Sequence, residues 1–251
     1  MAFIKIALEG MSPIQIVLGR LVVAAVMIAV VAYRKECLAR CLVPWAHLAV
    51  MAMMTNIAPY FLFAWDEQRI TSSLAGVLNA TPLFTLLLAV STHTERLTAP
   101  RLAGLTLGFV GVVILAAPWH DGALHSSLLG IGAAVLASAC YAASYVYARR
   151  FLSDGALSPL VLSSGQMIAG TVLLRLLAPA IARQPVTLTA NVVTSVIVLG
   201  VLGTGVAYVL NYRLITDEGA TAASTVTYLL PIVAVLLGLA VLAEAIGWTS
   251  P

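Results

Sequence analysis

Charged residues are scarce in this chain. Only 9% of its 251 residues are Asp, Glu, Lys or Arg, whereas an average soluble domain has roughly 25%. Hydrophobic residues make up 61%, and the mean hydropathy is +1.04. This composition excludes a soluble globular protein. The net charge of +3 comes from scattered basic residues without a basic stripe or interleaved aromatics, so we expect no nucleic-acid partner.

The residues and motifs of catalytic and metal sites are also few. Cys37 and Cys41 are four residues apart but have no His or further Cys beside them, and Cys140 lies far along the chain. We therefore expect no metal and no cofactor. The motifs GxSxG and HExxH are absent, and no span contains paired acids. These absences favour a protein that is not an enzyme, with an intramembrane enzyme as the alternative.

Long apolar runs are what the sequence has instead. A helix needs about 20 apolar residues to cross a bilayer. Eight such spans are predicted, approximately at 13–33, 45–65, 71–93, 100–118, 128–149, 158–180, 191–213 and 219–242. The connections between them are short. The sequence therefore predicts an all-α, multi-pass transmembrane helix bundle, with the lipid bilayer as its surroundings.

The basic residues between the spans predict the orientation. If the connection after the first span is cytoplasmic, the inside connections hold Arg34, Lys35, Arg40, Arg96, Arg101, Arg149, Arg150 and Arg213. The outside ones hold Arg69, Arg175 and Arg183. This bias follows the positive-inside rule. We expect a multi-pass protein of the plasma membrane, in a bacterium the inner membrane.

Two parts of the chain resemble each other. Pro82 to Glu95 is 13 residues, and so is Pro231 to Glu244. "SPIQIVLGR" at 12–20 resembles "SPLVLSSGQ" at 158–166, which gives Arg20 and Gln166 the same position in the repeat. The two offsets are 149 (231 minus 82) and 146 (158 minus 12), so a three-residue insertion or deletion reconciles them. The chain is predicted to consist of two homologous halves.

The spacing also predicts how the halves are oriented. The offset contains five spans, and an odd number reverses the chain direction, so residues 1–118 and 128–251 are expected to be inverted relative to each other across a linker at 119–127. Many secondary transporters have this design; an old duplication without mechanistic consequence is the alternative. By the repeat, the first span is shortened and a tenth span is missing, which leaves a truncated, non-transporting protein as a further alternative.

Polar residues recur at helical spacing inside several spans. Polar groups in hydrocarbon cost free energy unless they are satisfied, so such residues face the bundle interior or a wet cavity. Hydrogen bonding between helices explains any single one of them. Tyr and Asn on one face of several helices indicate a cavity for an amphipathic molecule. The predicted substrate-binding residues are Arg20, Asn56, Tyr60, Asn79, Tyr141, Tyr145, Gln166, Tyr208, Asn211 and Tyr228.

Prolines and glycines predict bends and close helix contacts. Pro82 and Pro231 lie beside polar residues at related places in the two halves, and we expect them to act as hinges. The span at 100–118 has almost no polar side chain, but its Gly104 and Gly108 allow close packing of helices. That packing would serve either a homo-oligomer or contacts within one chain, and the sequence leaves both open.

The doubled motif resembles a known family. "NATPLFTLLLAVSTHTERLTAPRLAGLTLGFVGVVIL" in the first half and "TYLLPIVAVLLGLAVLAEAI" in the second are similar to the signature of the EamA-like branch of the drug/metabolite transporter superfamily. The resemblance implies ten helices in two inverted five-helix repeats. It also implies a central cavity lined by the first four helices of each half, alternating access, and export of amino acids, metabolites or small organic compounds. The predicted function is a secondary transporter that exports a small amphipathic metabolite.

Overall fold

A computed structural model describes residues 6–7, 10–34, 44–59, 61–62, 74, 77–79, 81–116, 127–153, 157–181 and 185–229. Of the predicted site and hinge residues, Tyr60 and Pro231 lie outside this set. The described elements are all helical. In chain order they are α1 (Pro13–Arg34), α2 (Trp45–Ala52), α3 (Thr81–Ser91), α4 (Ala99–Ala116), α5 (Leu128–Phe151), α6 (Pro159–Ile181), α7 (Ala190–Gly200), α8 (Ala207–Glu218) and α9 (Ala220–Ser224).

The predicted class of fold is confirmed: the chain is an all-α bundle of membrane-spanning helices. Within the described residues, four helical stretches are long and apolar enough to cross a membrane: Ile14–Val31, Leu128–Phe151, Pro159–Leu176 and Ala190–Glu218. Two shorter apolar helices cover 81–91 and 99–114. Large apolar side chains such as Leu107 and Leu176 are mostly exposed, which suits a surface that faces lipid rather than water.

Two helices that the sequence predicts as plain spans each contain a π-helical turn. The first π segment, Met53–Ile57, follows α2 directly, and the second π segment, Val201–Val206, joins α7 to α8. A π turn inserts one residue into an α-helix and is frequent at functional sites. Hydrophobic periodicity does not show such a turn in these two spans. Most of their side chains are apolar, so the rotation that one extra residue causes leaves the hydrophobic pattern unchanged.

One end of the bundle is defined by a set of contacts between helix ends. Glu95, just after α3, accepts a hydrogen bond from the backbone N–H of Thr221 at 3.2 Å and pairs with Arg101 at 3.2 Å. Arg149 at the end of α5 donates to the carbonyls of Ile215 (3.1 Å) and Thr216 (2.6 Å). We call this the Glu95 end; it ties the last turns of α3, α5 and α8 to the start of α9.

The opposite end is defined by the start of α1. The backbone N–H of Thr187, just before α7, donates to the carbonyl of Gly10 at 2.9 Å. Since α7, the second π segment and α8 form one continuous helix of 29 residues, the start of α7 and the end of α8 lie at opposite ends of the bundle. We call this second end the Gly10 end.

The helices of the two predicted halves interleave rather than forming separate bodies. Helix α1 packs against α6 and against α7 with its π segment, whereas α6 also packs against α2. One apolar cluster joins Leu21, Ala24, Ala25 and Ile28 of α1 to Met167 and Leu174 of α6. A second cluster joins residues of α2, α5, α6 and α8, including Leu48, Leu162 and Ile215. Side chains from either half therefore meet in the middle of the bundle.

The helix that holds Pro82 is broken before the proline. Residues 77–78 are helical, Asn79 is not, and α3 begins at Thr81. Pro82 is thus in the first turn of α3, where a proline removes no intrahelical hydrogen bond. It begins a helix rather than bending one in its middle. In the second half, α9 changes to a 3₁₀-helix at Thr225–Leu229, shortly before Pro231 in the sequence.

The glycines of α4 divide between two environments. A Cβ at Gly108 would lie 2.7 Å from the ring of Tyr228, whereas a Cβ at Gly104 would meet nothing within 4 Å. Gly108 therefore serves packing within the chain, one of the two interpretations that the sequence leaves open. Gly104 is on an open face of the helix.

Candidate functional site

A buried polar network lies where α2, α6 and α8 meet. Its members are Thr55, Asn56, Gln166, Tyr208 and Tyr212. The Gln166 amide nitrogen donates to Asn56 Oδ1 at 2.8 Å and to Thr55 Oγ1 at 2.5 Å. Tyr212 donates to Gln166 Oε1 at 2.6 Å, and the Asn56 amide donates to the Tyr208 hydroxyl at 3.0 Å. Both amides are thus held by side chains from three helices.

Local sequence explains how these side chains converge. Gln166 is seven residues, two turns, into α6, so its depth is about 10 Å from Pro159 at 1.5 Å per residue. Tyr208 and Tyr212 are four residues apart and share one face of α8. Asn56 lies in the first π segment, where the extra residue rotates it relative to α2. The Thr55 hydroxyl donates to the Met51 carbonyl at 2.7 Å, which fixes its oxygen as an acceptor for Gln166.

Most of the network is buried, while Tyr208 at its edge is half-buried. Gln166 is 0% exposed, Tyr212 1% and Asn56 3%. A buried amide that loses a partner costs about 1 to 3 kcal/mol, so each of these groups depends on the others. Such a network holds its members in one arrangement and rigidifies the centre of the bundle.

A second polar cluster surrounds Arg20 on α1. Its Nε donates to Thr204 Oγ1 at 3.1 Å, and one terminal nitrogen lies 3.5 Å from the Gly203 carbonyl. The Thr204 hydroxyl in turn donates to the Leu199 carbonyl at 3.0 Å. Arg20 therefore binds the second π segment, and its own side chain stays partly exposed. We call this the Arg20 clamp; Gln166 with Thr55 and Asn56 is the Gln166 clamp.

A third cluster lies at the break before α3. Asn79 Oδ1 accepts a hydrogen bond from Thr81 Oγ1 at 2.7 Å and lies 3.5 Å from Ser138 Oγ. Ser138 on α5 also donates to the Leu78 carbonyl at 2.9 Å. The bond from Ser138 satisfies the Leu78 carbonyl, which the broken helix leaves without an intrahelical partner. Asn79 thus connects the break to α5.

The structure groups some of the predicted site residues and separates others. It brings Asn56, Gln166 and Tyr208 together, whereas Arg20, Asn79 and Tyr228 lie in other clusters. Tyr228 packs on Gly108 of α4, and its buried hydroxyl has no hydrogen-bond partner among the described residues. Tyr145 packs between the apolar clusters on α5, while Tyr141 and Asn211 are half-buried. Binding of substrate by any of them stays a prediction.

Two members of the network were not predicted from the sequence. Tyr212 follows Tyr208 by one helical turn, so its position on the same face was a usable signal. Thr55 is adjacent to Asn56 and has no such signal, because neighbouring residues on an α-helix point about 100° apart. The π turn and the Met51 carbonyl decide where its hydroxyl lies.

His47 at the Glu95 end is part of an aromatic contact with Tyr147 and Phe151. Its Nδ1 lies 2.6 Å from the Tyr147 hydroxyl, and its ring stacks on Phe151 with centroids 5.6 Å apart. Among the described residues, the side-chain groups that meet inside the spans are amides, phenols, hydroxyls and the Arg20 guanidinium. In the described residues no group of three or more His, Cys, Asp or Glu side chains lies close enough together to hold a metal ion.

The comparison with known proteins shows the family of this chain. The model of the EamA-like transporter family matches residues 1–117 and 128–250. The chain belongs to the EamA-like transporter family. One relative, an uncharacterised transporter of Archaeoglobus fulgidus, is 26% identical over 96% of this chain and 84% of its own.

A second EamA relative has a more specific name. It is a probable terminal-alkyne amino-acid exporter of Streptantibioticus cattleyicolor, 27% identical over 96% of this chain and 80% of its own. A solved crystal structure superposes with a TM-score of 0.75 at 18% identity, over 94% of this chain and 81% of the other. That likeness shows the helical fold, and the family membership shows an integral membrane transporter.

Proposed function

We propose that this EamA protein is a plasma-membrane carrier that exports a small amphipathic metabolite by alternating access. The observation that carries the proposal is the buried network of Asn56, Gln166, Tyr208 and Tyr212 between helices of the two halves. Polar residues at membrane depth are costly and mark substrate pathways. Here amides and phenols meet at the crossing of α2, α6 and α8, where an inverted-repeat transporter has its central site.

The chemistry of the cluster residues favours a substrate with both polar and apolar parts. Asn56 and Tyr208 offer neutral donors and acceptors beside an aromatic face, and the half-buried Arg20 offers a cation. A carboxylate is the natural partner of a guanidinium, and an apolar side chain suits the tyrosine rings. Amino acids combine these features. The name of the Streptantibioticus cattleyicolor relative supports the same class.

The architecture of the carrier follows the sequence repeat. Residues 1–118 and 128–251 are two inverted halves joined at 119–127, and the Glu95 end faces the cytoplasm of a bacterial cell. The contacts of Glu95 and Arg149 then close the cytoplasmic side in the state described here. Pro82 and Pro231 act as hinges, and the predicted residues Arg20, Asn56, Tyr60, Asn79, Tyr141, Tyr145, Gln166, Tyr208, Asn211 and Tyr228 line the pathway.

The deciding experiment is an efflux screen. Cells with and without the protein are loaded with a labelled mixture of amino acids and other small amphipathic metabolites, and the medium is analysed over time. We expect at least one zwitterionic compound to leave faster from cells that hold the protein. Purified protein in liposomes should then reproduce that efflux and exchange labelled for unlabelled substrate.

Two variants make the screen specific for the site. Tyr208→Ala should reduce efflux of the identified compound at least tenfold, because it removes both the ring and the partner of Asn56. Tyr147→Ala, at the Glu95 end, is the matched control and should retain efflux. No efflux of any compound would count against a carrier, and a compound that emerges chemically altered would favour the intramembrane enzyme instead.

A further inference from the structure

The two π segments occupy equivalent places in the two halves. Met53 and Val201, where they begin, are 148 residues apart (201 minus 53), and Ile57 and Val206, where they end, are 149 apart (206 minus 57). The offset between Pro82 and Pro231 is also 149. A π turn is rare compared with an α turn. Its presence at both places indicates a feature that each half retained.

Each π segment is bound by a side chain from the other half. Gln166 of the second half donates to Thr55 and Asn56 in the first π segment. Arg20 of the first half donates to Thr204 in the second π segment. Arg20 and Gln166 are 146 residues apart, the offset of their motif, and Thr55 and Thr204 are 149 apart. The two clamps are therefore equivalent contacts: in each, a residue of one half binds the π segment of the other half.

Close helix packing brings the clamps within reach. A Cβ at Gly200 would lie 2.6 Å from Val23, and one at Gly19 would lie 2.9 Å from Val196, so α1 and α7 pack with their backbones close. Gly170 of α6 is near α2, with Ala52 at 3.4 Å from its would-be Cβ. Larger residues would separate these helices and pull Arg20 and Gln166 away from the π segments.

The clamps differ in burial. Gln166 is 0% exposed, and Tyr212 covers it with a hydrogen bond of 2.6 Å. Arg20 is partly exposed; its Nε lies 3.1 Å from Thr204 Oγ1, and one terminal nitrogen lies 3.5 Å from the Gly203 carbonyl. Gln166 is near the Glu95 end and Arg20 near the Gly10 end, since each is seven residues from the start of its helix. We call the buried clamp closed and the partly exposed clamp loose; the two lie on opposite sides of the bundle centre.

We propose that Arg20 and Gln166 are paired positioning residues, and that the transport cycle exchanges the closed and loose states of their clamps. This rests on the proposed carrier function, because inverted halves reach the two faces by exchanging equivalent packings. Packed interfaces change between discrete arrangements rather than deforming smoothly. In the opposite-facing state the Arg20 clamp is closed and the Gln166 clamp is hydrated. The role acts through Thr55 and Thr204, and it is additional to the substrate contacts proposed above for Arg20 and Gln166.

Hydrogen exchange of the backbone amides tests the exchange of states directly. The full chain is purified in lipid nanodiscs, and exchange is followed by mass spectrometry in the peptides that contain 53–57 and 201–206. Gln166→Ala should speed exchange at 53–57 about tenfold, because local opening of this segment then no longer has to break the buried hydrogen bonds to Gln166. It should also slow exchange at 201–206. Arg20→Ala should have the reverse effect on the two peptides.

Matched controls and a second pair of variants keep the test decisive. Asn191→Ala removes an exposed side-chain amide and Arg175→Ala an exposed guanidinium, and both should leave the two peptides unchanged. If Gln166→Ala is not recovered folded, Thr55→Val and Thr204→Val remove only the bound hydroxyl and should give the same reciprocal pattern. Variants that speed both peptides together, or that change only the nearer one, overturn the proposal.

The outcome separates this proposal from the proposed function. The exchange measurement needs no substrate, whereas the efflux screen needs no knowledge of the clamps. Reciprocal exchange without efflux of any compound would refute the carrier and leave the coupled clamps standing. Efflux without reciprocal exchange would refute the coupling and leave the carrier standing.

Discussion

The Gln166 and Arg20 clamps have the same position in the repeat but different chemistry. Gln166 is neutral, fully buried and covered by Tyr212, whereas Arg20 is charged and partly exposed. By the 149-residue offset the counterpart of Tyr212 is Phe63 (212 minus 149), which has no hydroxyl. Both predicted halves contain a π turn, whereas the side chains that bind the two turns differ. The clamps therefore differ in charge and in burial.

The largest effect is expected from exchanging the residue types of the clamps. Gln166→Arg places a cation among Thr55, Asn56 and Tyr212, where no counter-charge is in contact, and should destabilise the fold by about 3 to 5 kcal/mol. Arg20→Gln keeps a donor for Thr204 and should cost no more than about 1.5 kcal/mol. Thermal unfolding in detergent measures both. Equal losses would show that burial does not distinguish the clamps.

The second-largest effect is expected from Asn56, whose amide bonds to both Gln166 and Tyr208. Asn56→Ala leaves the Gln166 nitrogen and the Tyr208 hydroxyl each short of one partner, so we expect a loss of about 1 to 3 kcal/mol and at least tenfold slower efflux. Asn191→Ala, at an exposed position of α7, is the matched control. Thermal unfolding and efflux of the compound found in the screen check the pair. Unchanged efflux in Asn56→Ala would remove it from the pathway.

At the Glu95 end a smaller effect is expected, from a comparison of Gly219 with Glu95. Gly219 has a φ of 97°, and a Cβ there would lie 2.6 Å from Glu95 Oε1. Gly219→Ala should therefore strain the backbone by about 1 to 3 kcal/mol and displace the carboxylate from Thr221. Glu95→Gln keeps an acceptor for the Thr221 N–H and should lower the melting temperature less. A larger loss from Glu95→Gln would show that the pair with Arg101 is the main contact.

The smallest effect is expected on α4. Gly108→Ala puts a methyl group 2.7 Å from the Tyr228 ring and should lower stability by about 1 kcal/mol, as overpacking does. Gly104→Ala meets nothing within 4 Å and should leave the unfolding temperature unchanged or raise it slightly, because Ala favours the helix. Sedimentation of both variants tests the homo-oligomer as well. A shift to smaller particles in Gly104→Ala alone would place an oligomer contact on that open face.

Much of the fold followed from the sequence because composition alone distinguishes membrane helices. Low charge and long apolar runs predicted the bundle, and α1, α4, α5 and α6 begin within one residue of the predicted spans. The third span is the exception, since its described part breaks at Asn79 and α3 starts at Thr81. Apolarity continues across that break, so hydropathy does not register it.

The candidate site was less accessible to sequence reasoning. Helical spacing selected Asn56 and Tyr208 as inward-facing, the repeat selected Gln166, and these three do meet. It also grouped Tyr228 with them, although that ring lies against Gly108. Spacing along one helix says which residues share a face, but it does not say which other helix that face meets. That depends on how far each helix is rotated and on where it crosses its neighbours.

By itself the sequence determined that this chain lies in a membrane, and it predicted two homologous halves in which Arg20 and Gln166 have the same position. These are properties of composition and of order along the chain, on which hydrophobic burial depends directly. Only the tertiary structure decided that each of them crosses to the other half and binds its π segment. An amide or guanidinium in an apolar bundle needs a hydrogen-bond partner, and the partner comes from whichever helix packs closely enough. In this protein Gly19, Gly170 and Gly200 allow the helices to pack at short distance.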